Sequence, residues 1–230
     1  MNWLRQRKYL ALLIALVLLV GVYPMLHPLL WMRVLFDLFL TALLLAALKV
    51  VFTARWLRGV SLVLGAVTIV GAWTGYVLPD VPRVPLGLVF HLCGAAFLAL
   101  TVTTVLRTIH QEETISTDSV HGAFCGYLLV GLCFAHLYCA IELVAPGSFS
   151  GDLMGSELLS ESRRHFLFVY FSLATLTTVG FGDLIPNSDP VRGVAMIEAV
   201  TGQFYLAVLI AELIGKRQGG RSEGAKDEPA

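Results

Sequence analysis

Apolar residues run in long unbroken stretches along most of this 230-residue chain, with few polar positions to divide them into helix faces or alternating strands. A hydrocarbon core of about 30 Å takes roughly 20 residues of helix to cross. Six stretches reach that length, at 9–27, 29–52, 59–78, 84–106, 122–144 and 190–214. A seventh, His165 to Val179, is apolar but shorter, and glycines follow it. The pattern predicts an all-α membrane protein with six transmembrane helices and a re-entrant segment between helices five and six. Irregular backbone at that depth is tolerated only where protein buries it or where it lines a watery cavity.

Composition agrees: 57% of residues are hydrophobic, 14% are charged and the mean hydropathy is +0.79, far from a soluble globular domain. Net charge is zero, so no global field favours nucleic acid as a partner. Cytoplasmic flanks of membrane helices collect Lys and Arg. An inside N-terminus puts eleven of the sixteen on the cytoplasmic side, among them Arg5, Arg7, Lys8, Lys49, Arg55, Arg58, Arg107 and Lys216, against Arg83, Arg163, Arg164 and Arg192 outside. Both termini are then cytoplasmic in a multi-pass cell-membrane protein, and the segment 145–163 lies outside. The first apolar run has the basic head of a secretory signal, but Val22-Tyr23-Pro24-Met25 offers no small-x-small cleavage site, so it is expected to stay as an anchor.

The short seventh stretch carries the chemistry. Thr175-Leu176-Thr177-Thr178-Val179-Gly180-Phe181-Gly182-Asp183 places two glycines at alternate positions, where left-handed backbone lets successive carbonyl oxygens aim at one axis. This string resembles the selectivity filter of the potassium-channel superfamily. The likeness extends from about Ser116 to Lys216, through Gly122-Ala123, Tyr127-Leu128-Leu129, Gly131 and Gly202-Gln203-Phe204-Tyr205, to a bacterial family with a two-helix pore domain. Phe181 departs from the commoner tyrosine and lacks its hydroxyl.

The resemblance implies a passive K+ pore in which Thr178, Val179, Gly180 and Phe181, with Gly182 closing the strand, coordinate the permeant ion. Tyr170, Thr175, Thr177 and Asp183 would support the strand, with Tyr170 hydrogen-bonded to Asp183 behind it. The chain holds one copy of the segment, and a closed ring needs four, so the expected assembly is a homotetramer in contact with membrane lipid. Gly202, twenty residues beyond Gly182, stands where inner pore helices of the superfamily bend; close helix packing is the equal alternative. Glu198, costly within a span, is expected to face protein, against the short helix.

The organisation is then a four-helix unit over 1–106, a cytoplasmic linker over 107–121, a pore domain over 122–216 and a disordered cytoplasmic tail over 217–230. In the linker, Ser116-Thr117-Asp118-Ser119 supplies oxygens suited to capping the following helix. Between Pro85 and Leu106 there is no Arg or Lys, so no conventional voltage sensor is expected, and Arg33 and Asp37 read as a mutually satisfied pair. Cys93, Cys125, Cys133 and Cys139 all fall within spans. His136 lies three residues from both Cys133 and Cys139, and His91 lies near Cys93; a buried metal site is one reading and ordinary packing of small residues the other. No nucleophile triad, phosphate loop or dinucleotide fingerprint appears, so neither catalysis nor a cofactor is expected. A K+ uptake subunit and a non-conducting sensor or partner protein remain as alternatives. The opening stimulus is undetermined, with tension, lipid or protonation of His110 or His121 as candidates.

Overall fold

A computed structural model describes residues 8–26, 55–77, 83–112, 116–154 and 161–224. The predicted second span, 29–52, lies outside the described residues, as do Arg33 and Asp37. The elements are α1 (Lys8–Leu26), α2 (Arg55–Val77), α3 (Arg83–Gln111), α4 (Thr117–Val144), a two-residue strand β1 (Phe149–Ser150), a 3-10 turn (Asp152–Met154), α5 (Glu161–Leu176), β2 (Ile185–Pro186) and α6 (Asp189–Gly224). Among the described residues, three helices are long and apolar enough to cross a membrane: Val84–Gln111, Thr117–Val144 and Asp189–Glu212. Tyr9–Gly21 and Trp56–Gly71 are shorter apolar helices.

Local chemistry fits these elements. Pro85 sits in the first turn of α3, where a missing N–H costs nothing. Its threonines do not interrupt the apolar helix, because the hydroxyls of Thr101, Thr104 and Thr108 donate to carbonyls four residues back at 2.8, 2.8 and 2.9 Å. Helix α3 continues to Gln111 and α4 starts at Thr117, so most of 107–121 is helical. Ser116 caps α4 by a reciprocal box: its Oγ accepts from Ser119 N at 3.0 Å and Ser119 Oγ accepts from Ser116 N at 3.1 Å.

The far end of the chain differs from expectation. Helix α6 runs on to Gly224, eight residues into the tail that composition assigns to disorder. Extending a formed helix costs little, and Lys216, Arg217 and Gln218 are good helix formers, which carries the helix over Gly219 and Gly220.

Helix α4 is the hub, packing against α1, α3, α5 and α6, while α2 lies against α3. Leu16, Phe97, Val105, Ile109, Leu129 and Tyr138 are buried at these seams. Tyr9 of α1 approaches so closely that a Cβ at Gly122 would lie 3.1 Å from its ring. At the opposite end of α4, the antiparallel pairs Phe149↔Pro186 and Ser150↔Ile185 tie the chain before α5 to the chain after it. Phe149 fills the space beneath, with its ring 5.6 Å from Tyr138, 4.6 Å from Phe168 and 5.2 Å from Phe171.

Candidate functional site

Helix α5 is 16 residues long, about 24 Å at 1.5 Å per residue, and is followed by irregular backbone. Phe168, Ser172 and Leu176 on one face have no exposure above 0%, so the helix is held by its neighbours along that side. At its C-terminus the carbonyls that an ending helix leaves unpaired are taken up by the next residues. Thr177 N donates to Leu173 O at 3.0 Å, Thr178 N to Thr175 O at 2.9 Å, and Val179 N and Gly180 N both to Ala174 O at 2.9 and 3.2 Å. The Thr177 hydroxyl adds a bond to Leu173 O at 2.7 Å. The segment is thus pinned at its base by the helix that precedes it.

Beyond the base, every second residue has positive φ: Thr178 at 58°, Gly180 at 53° and Gly182 at 79°. Val179 and Phe181 between them do not. In an ordinary strand successive carbonyls point to opposite sides; alternating handedness removes that alternation and lets neighbouring carbonyls face one way. Glycine adopts these angles without strain. Threonine, which is β-branched, does so at a cost of about 1–3 kcal/mol, a strain that persists where surrounding structure over-determines the backbone. The four bonds at the segment's base supply that constraint. Val179 and Phe181 are 55% and 68% exposed in the isolated chain.

The far end is held separately. Tyr170 Oη donates to Asp183 Oδ2 at 2.7 Å, and the Tyr170 ring stacks on Phe181 with centroids 5.7 Å apart and 12° between planes. Gly151 presses on the same point: a Cβ there would lie 2.2 Å from the Asp183 carbonyl oxygen. Beyond it, Asn187 N donates to Ser148 O at 2.8 Å. The segment is therefore clamped at both ends and open along one side.

Three further contacts set the position of α5, and sequence reasoning singled out only part of them. Tyr127 Oη on α4 donates to the Leu176 carbonyl at 2.9 Å. Gly202 on α6 faces the same carbonyl, where a Cβ would come within 2.4 Å of the oxygen. Close packing therefore requires glycine at 202, and α6 passes through this position as an unbroken helix. Glu198, fully buried, lies against α5 as its burial cost demands: Tyr138 Oη of α4 donates to its Oε2 at 2.5 Å, and Ser172 Oγ of α5 meets its Oε1. Ser172 Oγ also reaches the Gly131 carbonyl, at 2.6 Å. Buried tyrosines were the available signal, since a hydroxyl in an apolar span needs a partner. The identity of that partner depends on helix packing that periodicity does not encode.

Two contacts join the helices at the other end. Tyr205 Oη donates to Ala123 O at 2.6 Å, and His110 Nδ1 on α3 meets Glu212 Oε1 on α6 at 3.0 Å. Of the cysteines, Cys125 Sγ points to Tyr9 O at 3.4 Å and Cys133 Sγ to Ala95 O at 3.3 Å.

Residues 123–216 match the family model described as ion channel, a range that takes in most of α4, all of α5, the irregular segment and most of α6. Over 54 residues the chain is 41% identical to the calcium-gated potassium channel TvoK of Thermoplasma volcanium, which is 24% of this chain and 16% of that protein's length. No solved structure matches. The apolar helices, together with the similarity of 123–216 to an ion-channel domain, make this a membrane protein.

Proposed function

We propose that the chain is one subunit of a potassium-selective channel, a homotetramer that conducts K+ passively across the cell membrane. The observation that carries this reading is the alternation of positive φ at Thr178, Gly180 and Gly182 on a segment that follows a short helix between two long apolar ones. Four copies around an axis stack rings of carbonyls from Thr178, Val179, Gly180 and Phe181, with the Thr178 hydroxyl at the inner end, and Gly182 lets the strand turn away. Those oxygens replace the water a K+ ion sheds on entry. Charge alone would not separate K+ from Na+. The identity shared with a protein named as a potassium channel supports K+ as the ion; calcium gating belongs to that protein's name, and the short match gives no reason to carry it over.

In this reading α5 is a re-entrant pore helix, flanked by α4 outside and α6 inside, within a six-span subunit whose termini are cytoplasmic. The C-terminal end of α5, with its partial negative charge, aims at the central cavity and favours a cation there. Thr175 and Thr177 belong to the base of the filter, and Tyr170 and Asp183 brace its outer end. The first four predicted spans lack sensor arginines, so voltage is not the conventional trigger.

Reconstitution into liposomes with a K+ gradient tests the proposal. The expected result is a Nernstian K+ potential with little Na+ permeation. Silence in every lipid, pH and tension condition would overturn it, as would equal Na+ and K+ permeation.

A further inference from the structure

Three helices each send one histidine to a common point away from the filter. His91 comes from α3, His136 from α4 and His165 from α5, and one ring nitrogen from each lies within 4.8 Å of the others. The Nδ1 atoms of His91 and His136 are 3.1 Å apart. The His165 ring stacks on His91 at 5.8 Å and stands edge-on to His136 at 4.9 Å. Cys139, one turn beyond His136 on α4, brings its Sγ to 3.3 Å from His165 Nδ1. His136 is 4% exposed, while His91 and His165 are half-buried and leave a way in.

Ordinary packing accounts poorly for this group. Each neutral imidazole brings one donor and one acceptor, and the rings find one another and a thiol, with no carboxylate in the cluster. The helices approach closely to make the meeting possible: a Cβ at Gly94 on α3 would lie 2.8 Å from the His136 ring. Phe90 closes one side, its centroid 4.7 Å from His91 and 5.6 Å from His136. Imidazole nitrogen with a thiolate is a donor set for zinc and similar transition metals, whereas K+ and other hard cations prefer oxygen.

We propose that His91, His136 and His165 bind a transition-metal ion, Zn2+ by the chemistry of the set, with Cys139 as the fourth ligand. A tetrahedral ion at about 2.0–2.1 Å from each nitrogen needs them about 3.4 Å apart, so the widest pair closes by side-chain rotation. Binding as a thiolate releases the Cys139 proton to solvent. The ion joins α3 to α4 and α5 and so links the first helices to the pore helix. His165 precedes Thr175 by ten residues on α5, about 15 Å of helix, which keeps the metal clear of the permeant ions.

The test uses the purified full-length chain in detergent, stripped with chelator and titrated with Co2+ alone, a probe independent of K+ flux. Expected are the visible bands of tetrahedral cobalt at one ion per chain, with a thiolate charge-transfer band in the near ultraviolet, and displacement of both by Zn2+. Removing ligands, as in His91→Asn or His165→Asn, abolishes the bands with the oligomer intact by size-exclusion chromatography; His121→Asn, outside the cluster, leaves them. Gly94→Ala keeps all four ligands but pushes on His136 and weakens Co2+ binding at least tenfold. No cobalt bands in the parent protein, or bands that survive the double substitution of His91 and His165, would overturn the site. Visible bands without the charge-transfer band would overturn the role of Cys139. A silent liposome assay with cobalt bands present sinks the channel reading and leaves the metal site standing.

Discussion

Glu198 has no exposure in a chain whose mean hydropathy is +0.79, and it touches two helices other than its own. A buried acceptor stripped of its donor loses about 1–3 kcal/mol. Tyr138→Phe, which removes the hydroxyl on Glu198 Oε2 and preserves ring packing, is therefore expected to destabilise the protein by about that amount, read as a lower midpoint of thermal unfolding in detergent. At Gly180 and Gly182, where φ is 53° and 79°, alanine has room: nothing lies within 4 Å of an added Cβ in the isolated chain. Backbone strain is what opposes it, at about 1–2 kcal/mol for each residue. Flux should vanish in Gly180→Ala and Gly182→Ala while insertion and expression persist, checked by liposome flux beside membrane fractionation. Tyr170→Phe removes the hydroxyl bonded to Asp183 yet keeps the stack on Phe181, so altered conductance or inactivation with unchanged assembly is the expected outcome. At this scale much was legible: the two glycines announced left-handed backbone, and the price of an acid in a span placed Glu198 against the short helix α5. Thr178 was not legible as strained, because a β-branched residue at positive φ goes against its own preference and follows from bonds made by its neighbours.

The contact between α4 and α6 turns on a glycine and a tyrosine. A Cβ at Gly126 would meet Tyr205 Oη at 2.4 Å, while the next ring atom is 3.4 Å away, an ordinary contact. Gly126→Ala should thus destabilise the helix pair, and adding Tyr205→Phe should restore part of the loss although it removes the bond to Ala123 O; a double-mutant cycle on thermal midpoints measures the coupling. Gly202→Ala has no such escape, since the obstructing atom is the Leu176 backbone oxygen at 2.4 Å. Overpacking of that kind costs about 1–3 kcal/mol, and the loss should appear as reduced stability even where no flux is measured. Length and hydropathy made the elements visible, including the short α5. They did not reveal that α3 reaches Gln111 or that α6 reaches Gly224, because polar residues with good helix propensity extend a helix past the apolar limit that marks a span. The histidine cluster was only half visible, since sequence spacing connects His136 to its neighbours on α4 but not to His165 on another helix.

Across the whole molecule, α6 presents Ile197, Val200, Phe204 and Val208 at helical spacing, each more than half exposed. The irregular segment leaves Val179 and Phe181 more than half exposed as well. In the proposed tetramer, other subunits and the surrounding lipid would cover these surfaces. Mass photometry or cross-linking of the purified protein is expected to give four chains in the proposed assembly. If four copies assemble as proposed, a pore built from four single clamped segments would have a genetic consequence. A chain carrying Gly180→Ala would keep its assembly surfaces and enter tetramers freely. Produced in equal amount with the parent, it would leave only about one tetramer in sixteen wholly intact, so an allele that fails at one glycine would be dominant, silencing the good copy beside it far below half of its output.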